Sequence, residues 1–208
     1  MPPAPPERQA ARRRAAALAG HTADEPAARR AWTDPSPVVR ATALGALARL
    51  GCLRPDDLAA ARADSAPEVR VRAAELGAGA GPEALAGLVA ALDDPDDRVV
   101  EAASHALGET GLAAAGSTAV AALARVGTAH GDPLCREAAV AALGSVGDPA
   151  GLAAVLQGLK DKPAVRRRAV LALAAFEGHE VDEALARALG DPDWQVRQAA
   201  EDMLGRGG

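Results

Sequence analysis

Tyrosine, isoleucine and asparagine are missing from this 208-residue chain, and phenylalanine occurs once. Aromatic residues make up 1% of it, so a site that stacks bases or cages a cation on aromatic faces has almost nothing to be built from. No stretch alternates β-branched and polar residues as a half-buried strand would. Cys52 and Cys135 stand in different parts of the chain, with no CxxC pair and no Cys/His cluster in the sequence. No apolar run approaches the ~20 residues that span a bilayer. The N-terminus, MPPAPPERQAARRRAAALAG, lacks the apolar core of a secretory signal, so a cytoplasmic protein is expected. The GxSxG, P-loop, GxGxxG and HExxH motifs are absent as well, and no catalytic residue, metal or cofactor is expected.

What is abundant is alanine, the strongest helix former and small enough to let helices approach closely. All but two of the 23 basic residues are Arg, a bias that suggests a GC-rich bacterial genome. The formal charge of −5 is unevenly spread. Residues 1–49 carry eight Arg against four carboxylates; the remainder carries fifteen basic against twenty-four acidic side chains. A mostly acidic body repels a phosphate backbone, which disfavours nucleic acid as a partner.

A thirteen-residue frame recurs six times. It reads VRATALGALARLG from Val39, VRVRAAELGAGAG from Val69, VVEAASHALGETG from Val99 and CREAAVAALGSVG from Cys135. It returns, one residue longer, as VRRRAVLALAAFEG from Val165, and as VRQAAEDMLGRGG from Val196. The fifth position is always Ala, and the second is Arg except at Val100. Cys135 fills a valine slot and reads as a small buried hydrophobe. Each frame follows an Asp/Pro breaker, where Asp is a good N-cap and Pro fits the first helical turn. Each closes on a glycine: Gly51, Gly81, Gly111, Gly147, Gly178 and Gly208. Shorter amphipathic segments between the frames, such as Leu85, Leu88 and Leu92, supply a first helix to each pair. The expected fold is all-α: a right-handed solenoid of about six helical hairpins, each completing its core on its neighbours. A disordered arm over residues 1–7 precedes a single repeat domain over 8–208, opened by a basic capping helix over 8–20. The fourth unit has six extra residues, which fit a longer first helix or the GTAHGD loop at 127–132. The second unit is apolar-poor, with Gly77 and Gly79 in place of larger residues, and is expected to be the weakest link of the stack.

The pattern of an Asp six residues before an Arg, VRxxA and a closing ALGxxG resembles the HEAT repeat family. The likeness is to its short bacterial type, the PBS-lyase HEAT-like repeats, and it covers roughly residues 26–208. The resemblance implies a ladder of Asp and Arg side chains between turns and neighbouring repeats, here Asp34, Arg40, Asp64, Arg70, Asp191 and Arg197. Opposite Asp94 stands Val100, so that rung is expected to be missing.

At 100° per residue, frame positions one, five, eight, nine and twelve form the core stripe, and three, six, seven and ten lie opposite. If second helices line the inner surface, as the resemblance implies, the latter form a concave binding face. It runs through Leu44, Ala74, Glu101, Ser104, His105, Glu137, Val140, Arg167, Val170 and Leu171. Glu101, His105, Glu137, Arg167 and Leu171 are the candidate partner contacts. Glu101 and His105 are one turn apart, and a carboxylate–His–carboxylate set with Glu137 has metal-ligand character; the plainer reading is a solvated acidic face. HEAT-like deoxyhypusine hydroxylases use His-Glu pairs in several repeats, whereas here only His179-Glu180 forms one. Trp194 occupies a slot where other units have proline, as an exposed anchor or as packing over the C-terminal end. Arg8, Arg12, Arg13, Arg14, Arg29 and Arg30 read as a contact site or as a polar cap on the first repeat.

The expected function is a non-enzymatic, monomeric scaffold or adaptor that binds another protein or peptide, with no membrane partner. An accessory role resembling the bilin lyases and a relative of the HEAT-like DNA glycosylases stand as alternatives.

Overall fold

The computed structural model describes residues 6–78, 81–110 and 112–205. Residues 1–5 of the expected arm, Gly111 and Gly208 lie outside them. Among the described residues every regular element is helical. In chain order they are α1 (Pro6–Ala19), α2 (Glu25–Trp32), α3 (Pro37–Arg49), α4 (Pro55–Arg62) and α5 (Pro67–Gly77). Then come α6 (Pro82–Ala91), α7 (Asp97–Glu109), α8 (Leu112–Ala129) and α9 (Pro133–Val146). The last are α10 (Leu152–Gly158), α11 (Pro163–Ala172), α12 (His179–Ala188) and α13 (Trp194–Gly205). The basic helix at the start of the chain is α1, and the frames become α3, α5, α7, α9, α11 and α13.

The chain falls into two compact units, one ending at Gly87 and the other starting at Leu88, inside α6. In the first, α1 and α2 pack on α3, α3 packs on α5, and α4 on α5. Trp32, half-buried, touches the clusters around Leu44, Leu47 and Val39. In the second unit, α7, α9, α11 and α13 pack each on the next; α8 and α10 lie against α9, and α12 against α13. This is the hairpin stack the repeat demands, because one hairpin cannot bury its own apolar face. Frame positions one and five are sealed in every copy, as in Val99 and Ala103 or Cys135 and Ala139, none more than 1% exposed. Each such valine stabilises the fold by about 1.5–3 kcal/mol through the apolar area it removes from water.

The fourth unit's extra residues go into its first helix. α8 runs through the Gly-Thr-Ala that opens the expected loop and breaks once, at Gly116 (φ 66°, ψ 165°), a conformation that glycine alone adopts cheaply. The helix ends differ from the simple frame. Gly147 is a left-handed C-cap (φ 67°), its N–H donating to the Leu143 carbonyl. Gly178 instead precedes α12 as its N-cap, because α11 stops at Ala172 and passes through one 3₁₀ turn into an extended Phe176. In the apolar-poor second unit, α5 also stops early, at Gly77. No helix among the described residues is long and apolar enough to cross a membrane.

Candidate functional site

In several breakers one Asp serves two neighbours. Asp34, Asp64 and Asp191 are not N-caps; each accepts the backbone N–H two residues on, at 2.8–2.9 Å, which closes the turn ahead of the framed helix. The same carboxylates then take Arg side chains from the preceding repeat. Arg12 Nε donates to Asp34 at 2.8 Å, and Arg40 donates through Nε and Nη2 to Asp64 at 2.9 and 2.8 Å. Arg136 forks onto Asp161 at 2.6 and 2.7 Å, and Arg166 onto Asp191 at 2.8 and 2.7 Å. The third nitrogen of Arg40, Arg70 and Arg197 donates to the main-chain carbonyl of the Asp six residues earlier. The six-residue offset is therefore an Arg-to-carbonyl bond, and the carboxylate pairs back to the Arg of the preceding repeat. The guanidinium bond is the main cause that holds Asp64, Asp161 and Asp191 below the usual carboxylate range. The ladder also takes in Arg12, Arg136 and Asp161, and Arg166 with them. Of the basic residues near the N-terminus, Arg12 thus belongs to the ladder, and Arg29 binds Asp57 at 2.6 Å and the Cys52 carbonyl. Arg8, Arg13, Arg14 and Arg30 are exposed.

The face opposite the core is narrower than a helical wheel draws it. In the first five frames position six is core: Leu44, Ser104, Val140 and Val170 are fully buried and Ala74 nearly so, while Glu201 of the last frame is exposed. Neighbouring helices cover it, as on α9, which has α8 and α10 against it as well as α7 and α11. Position ten is partly used for close approach, with Gly144 of α9 against Ala172 of α11. What stays open is positions three and seven. Glu101 Oε1 lies 3.9 Å from His105 Nε2, both half-exposed. Glu137 accepts a bond at 3.3 Å from Arg168 of the next helix. Arg167 is half-buried and Leu171 is 39% exposed. Glu101 and His105 are therefore neighbours, while Glu137 is engaged elsewhere, and the three are not a metal-holding group. Trp194 is 64% exposed at the start of α13. His179 begins α12, its Nε2 3.0 Å from Glu183.

The missing rung holds a feature that sequence reasoning passed over. Val100 is fully buried, and the residue six before Arg136, where an Asp belongs, is His130. Its Nδ1 accepts the Asp132 N–H at 3.2 Å, the role the aspartates play in the other turns. Nε2 lies 3.8 Å from Asp97 Oδ1. Beside them Cys135, 1% exposed, donates its S–H to the Asp97 carbonyl at 3.3 Å. Burial first, and then the charges of Asp97, Asp132 and Glu101, push this thiol up to about 12. The sequence has no Cys/His cluster by close spacing, but the fold makes one. The signal available was positional: Asp97, Val100, His130 and Cys135 all depart from what the other repeats carry in those slots.

The family model for HEAT repeats matches residues 120–205. Upstream of them, HEAT-like frames at Val39, Val69 and Val99 fold into hairpins of the same kind. No curated protein matches the chain. Among solved structures, a designed armadillo repeat protein superposes with a TM-score of 0.59 at 19% identity, over 86% of this chain and 98% of that one. A second, in complex with the peptide (KR)4, gives 0.58 at 17%, over 93% and 97%. Human deoxyhypusine hydroxylase in complex with glycerol gives 0.50 at 24%, over 93% of this chain and 78% of that one. At these identities the likeness is one of fold: an all-helical repeat solenoid.

Proposed function

We propose that this HEAT-repeat chain is a non-enzymatic scaffold that binds another protein or a peptide. Its contact surface is the row of residues left open on α7, α9 and α11: Glu101, His105, Glu137, Arg167 and Leu171, taken as the concave side. The observation that carries the reading is the contrast within each frame. On these three helices positions one, two, five and six are committed to core or ladder, whereas three and seven vary between copies and stay accessible. A surface of exposed leucine among carboxylates, His and Arg has the mixed character of a protein interface, and it lacks the dense positive charge that phosphate binding needs. A solenoid fold that carries a peptide in a designed armadillo protein accords with this use of the architecture.

The test is a triple variant, Glu101→Lys, Glu137→Lys and His105→Ala. It is expected to lose the proteins that co-purify with the wild-type chain while its helical circular dichroism stays the same. An unaltered set of co-purifying proteins would overturn the assignment of this face.

A further inference from the structure

We propose that Asp97, His130 and Cys135 form a binding site for a divalent transition metal of the zinc class, built where the Arg–Asp rung between the third and fourth repeats is absent. One ligand atom from each residue lies within 4.8 Å of the other two, and among the described residues no other trio of such side chains does so. Three separate elements deliver them: the first residue of α7, the residue after α8, and the first turn of α9.

A second observation comes from the repeat itself. The slot of Asp97 holds proline in Pro37, Pro67, Pro133 and Pro163. The slot of His130 holds Asp34, Asp64, Asp94 and Asp191, with Lys160 in the fifth unit, and that of Cys135 holds valine in all five other frames. Val100 replaces the arginine that would otherwise reach into this turn. Four departures from the repeat thus fall at one place. Three of them introduce metal ligands, and the fourth removes the cation that would repel a metal.

Thiolate, imidazole and carboxylate together suit zinc, with metal–ligand distances of about 2.0–2.3 Å. A tetrahedron of that size needs ligand atoms about 3.5 Å apart. The His130 Nε2 to Asp97 Oδ1 separation of 3.8 Å is already near that value, and the Asp97 side chain, 59% exposed, is free to adjust, while the set as a whole has to draw in from within 4.8 Å. Three protein ligands leave the fourth position to water. In the metal-free protein the bond from Asp132 holds His130 as the Nε2–H tautomer. Metal at Nε2 moves that proton to Nδ1 and gives up one neutral hydrogen bond. The Cys135 proton is lost to solvent, since a bound divalent cation deprotonates a coordinating thiol outright. A nucleophilic Cys–His pair is the competing chemistry, but a thiol 1% exposed and bonded to a carbonyl is out of reach of a substrate.

Purified protein stripped with a chelator is titrated with Co²⁺ and then with Zn²⁺. The expected result is one equivalent of Co²⁺ bound, with a thiolate-to-metal charge-transfer band in the near ultraviolet, and its displacement by Zn²⁺. Cys135→Val restores the repeat's own residue; it is expected to abolish the band and weaken Zn²⁺ binding by more than about 100-fold. The double variant Val100→Arg/His130→Asp, which puts the ladder pair back, is expected to lose the metal while keeping its helicity. Absence of stoichiometric binding to the wild-type chain would overturn the proposal. So would a band or an affinity that persists in a folded Cys135→Val variant, or an affinity that persists in the double variant, since the metal would then sit elsewhere, on Cys52 or on other carboxylates.

Discussion

Glycine at the tenth frame position marks where one second helix comes closest to the next. A Cβ placed on Gly144 would meet the Cβ and Cα of Ala172 at 2.6 and 2.7 Å, and one on Gly108 would meet the Cα of Ala142 at 3.0 Å. At an exposed helical site, Gly to Ala stabilises by up to about 1 kcal/mol. Here two backbones must part, so Gly144→Ala is expected to cost about 1–3 kcal/mol, measured by urea unfolding. A gain in stability would mean that α9 and α11 have slack between them. Trp194 gives the opposite expectation. With its indole mostly in solvent, Trp194→Ala should change stability by no more than about 0.5 kcal/mol, whatever it does to binding. Neither outcome is written in residue type alone: a glycine reads as weak helix and a tryptophan as core until the neighbouring repeat is in place.

At the scale of elements, the ladder does for the turns what the apolar stripe does for the helices. Arg136 supplies two donors to Asp161 and two to the carbonyls of His130 and Gly131, so one side chain ties two turns together. Arg136→Ala strands a carboxylate whose side chain is 18% exposed, and a loss of about 2 kcal/mol is expected in thermal or chemical unfolding. Arg136→Lys should recover only a fraction, because an ammonium cannot match the planar fork. Helix pairing, the breakers and the lack of a guanidinium at Val100 were legible from the frame. The carboxylate partners were not, because an offset within one repeat says nothing of which Arg stands across the gap. Helix ends were legible where glycine caps, as at Gly147. They were hidden in the fifth frame, where the chain leaves α11 early and Gly178 starts the next helix instead.

For the whole molecule, the ladder carboxylates set a pH dependence with a definite sign. Asp64, Asp161 and Asp191 have folded-state values below the ordinary range near 4. Their contribution is therefore fully present above that range and is lost as pH falls through the lowered values. Thermal stability should be flat in this respect near neutrality and fall steeply below about pH 4. Asp161→Asn should be less stable at pH 7 and show a shallower acid decline; an unchanged slope would mean that the pair adds nothing in solution. The sequence by itself determined the helical repeat and the main core stripe at positions one and five. Those rest on periodicity and capping, which act over a few residues. Tertiary structure decided which surface stays open, since position six is buried by neighbours that no wheel includes. It also decided which charges meet. Asp97, His130 and Cys135 lie up to 38 residues apart, and only the stacking of α7, α8 and α9 brings their ligand atoms together.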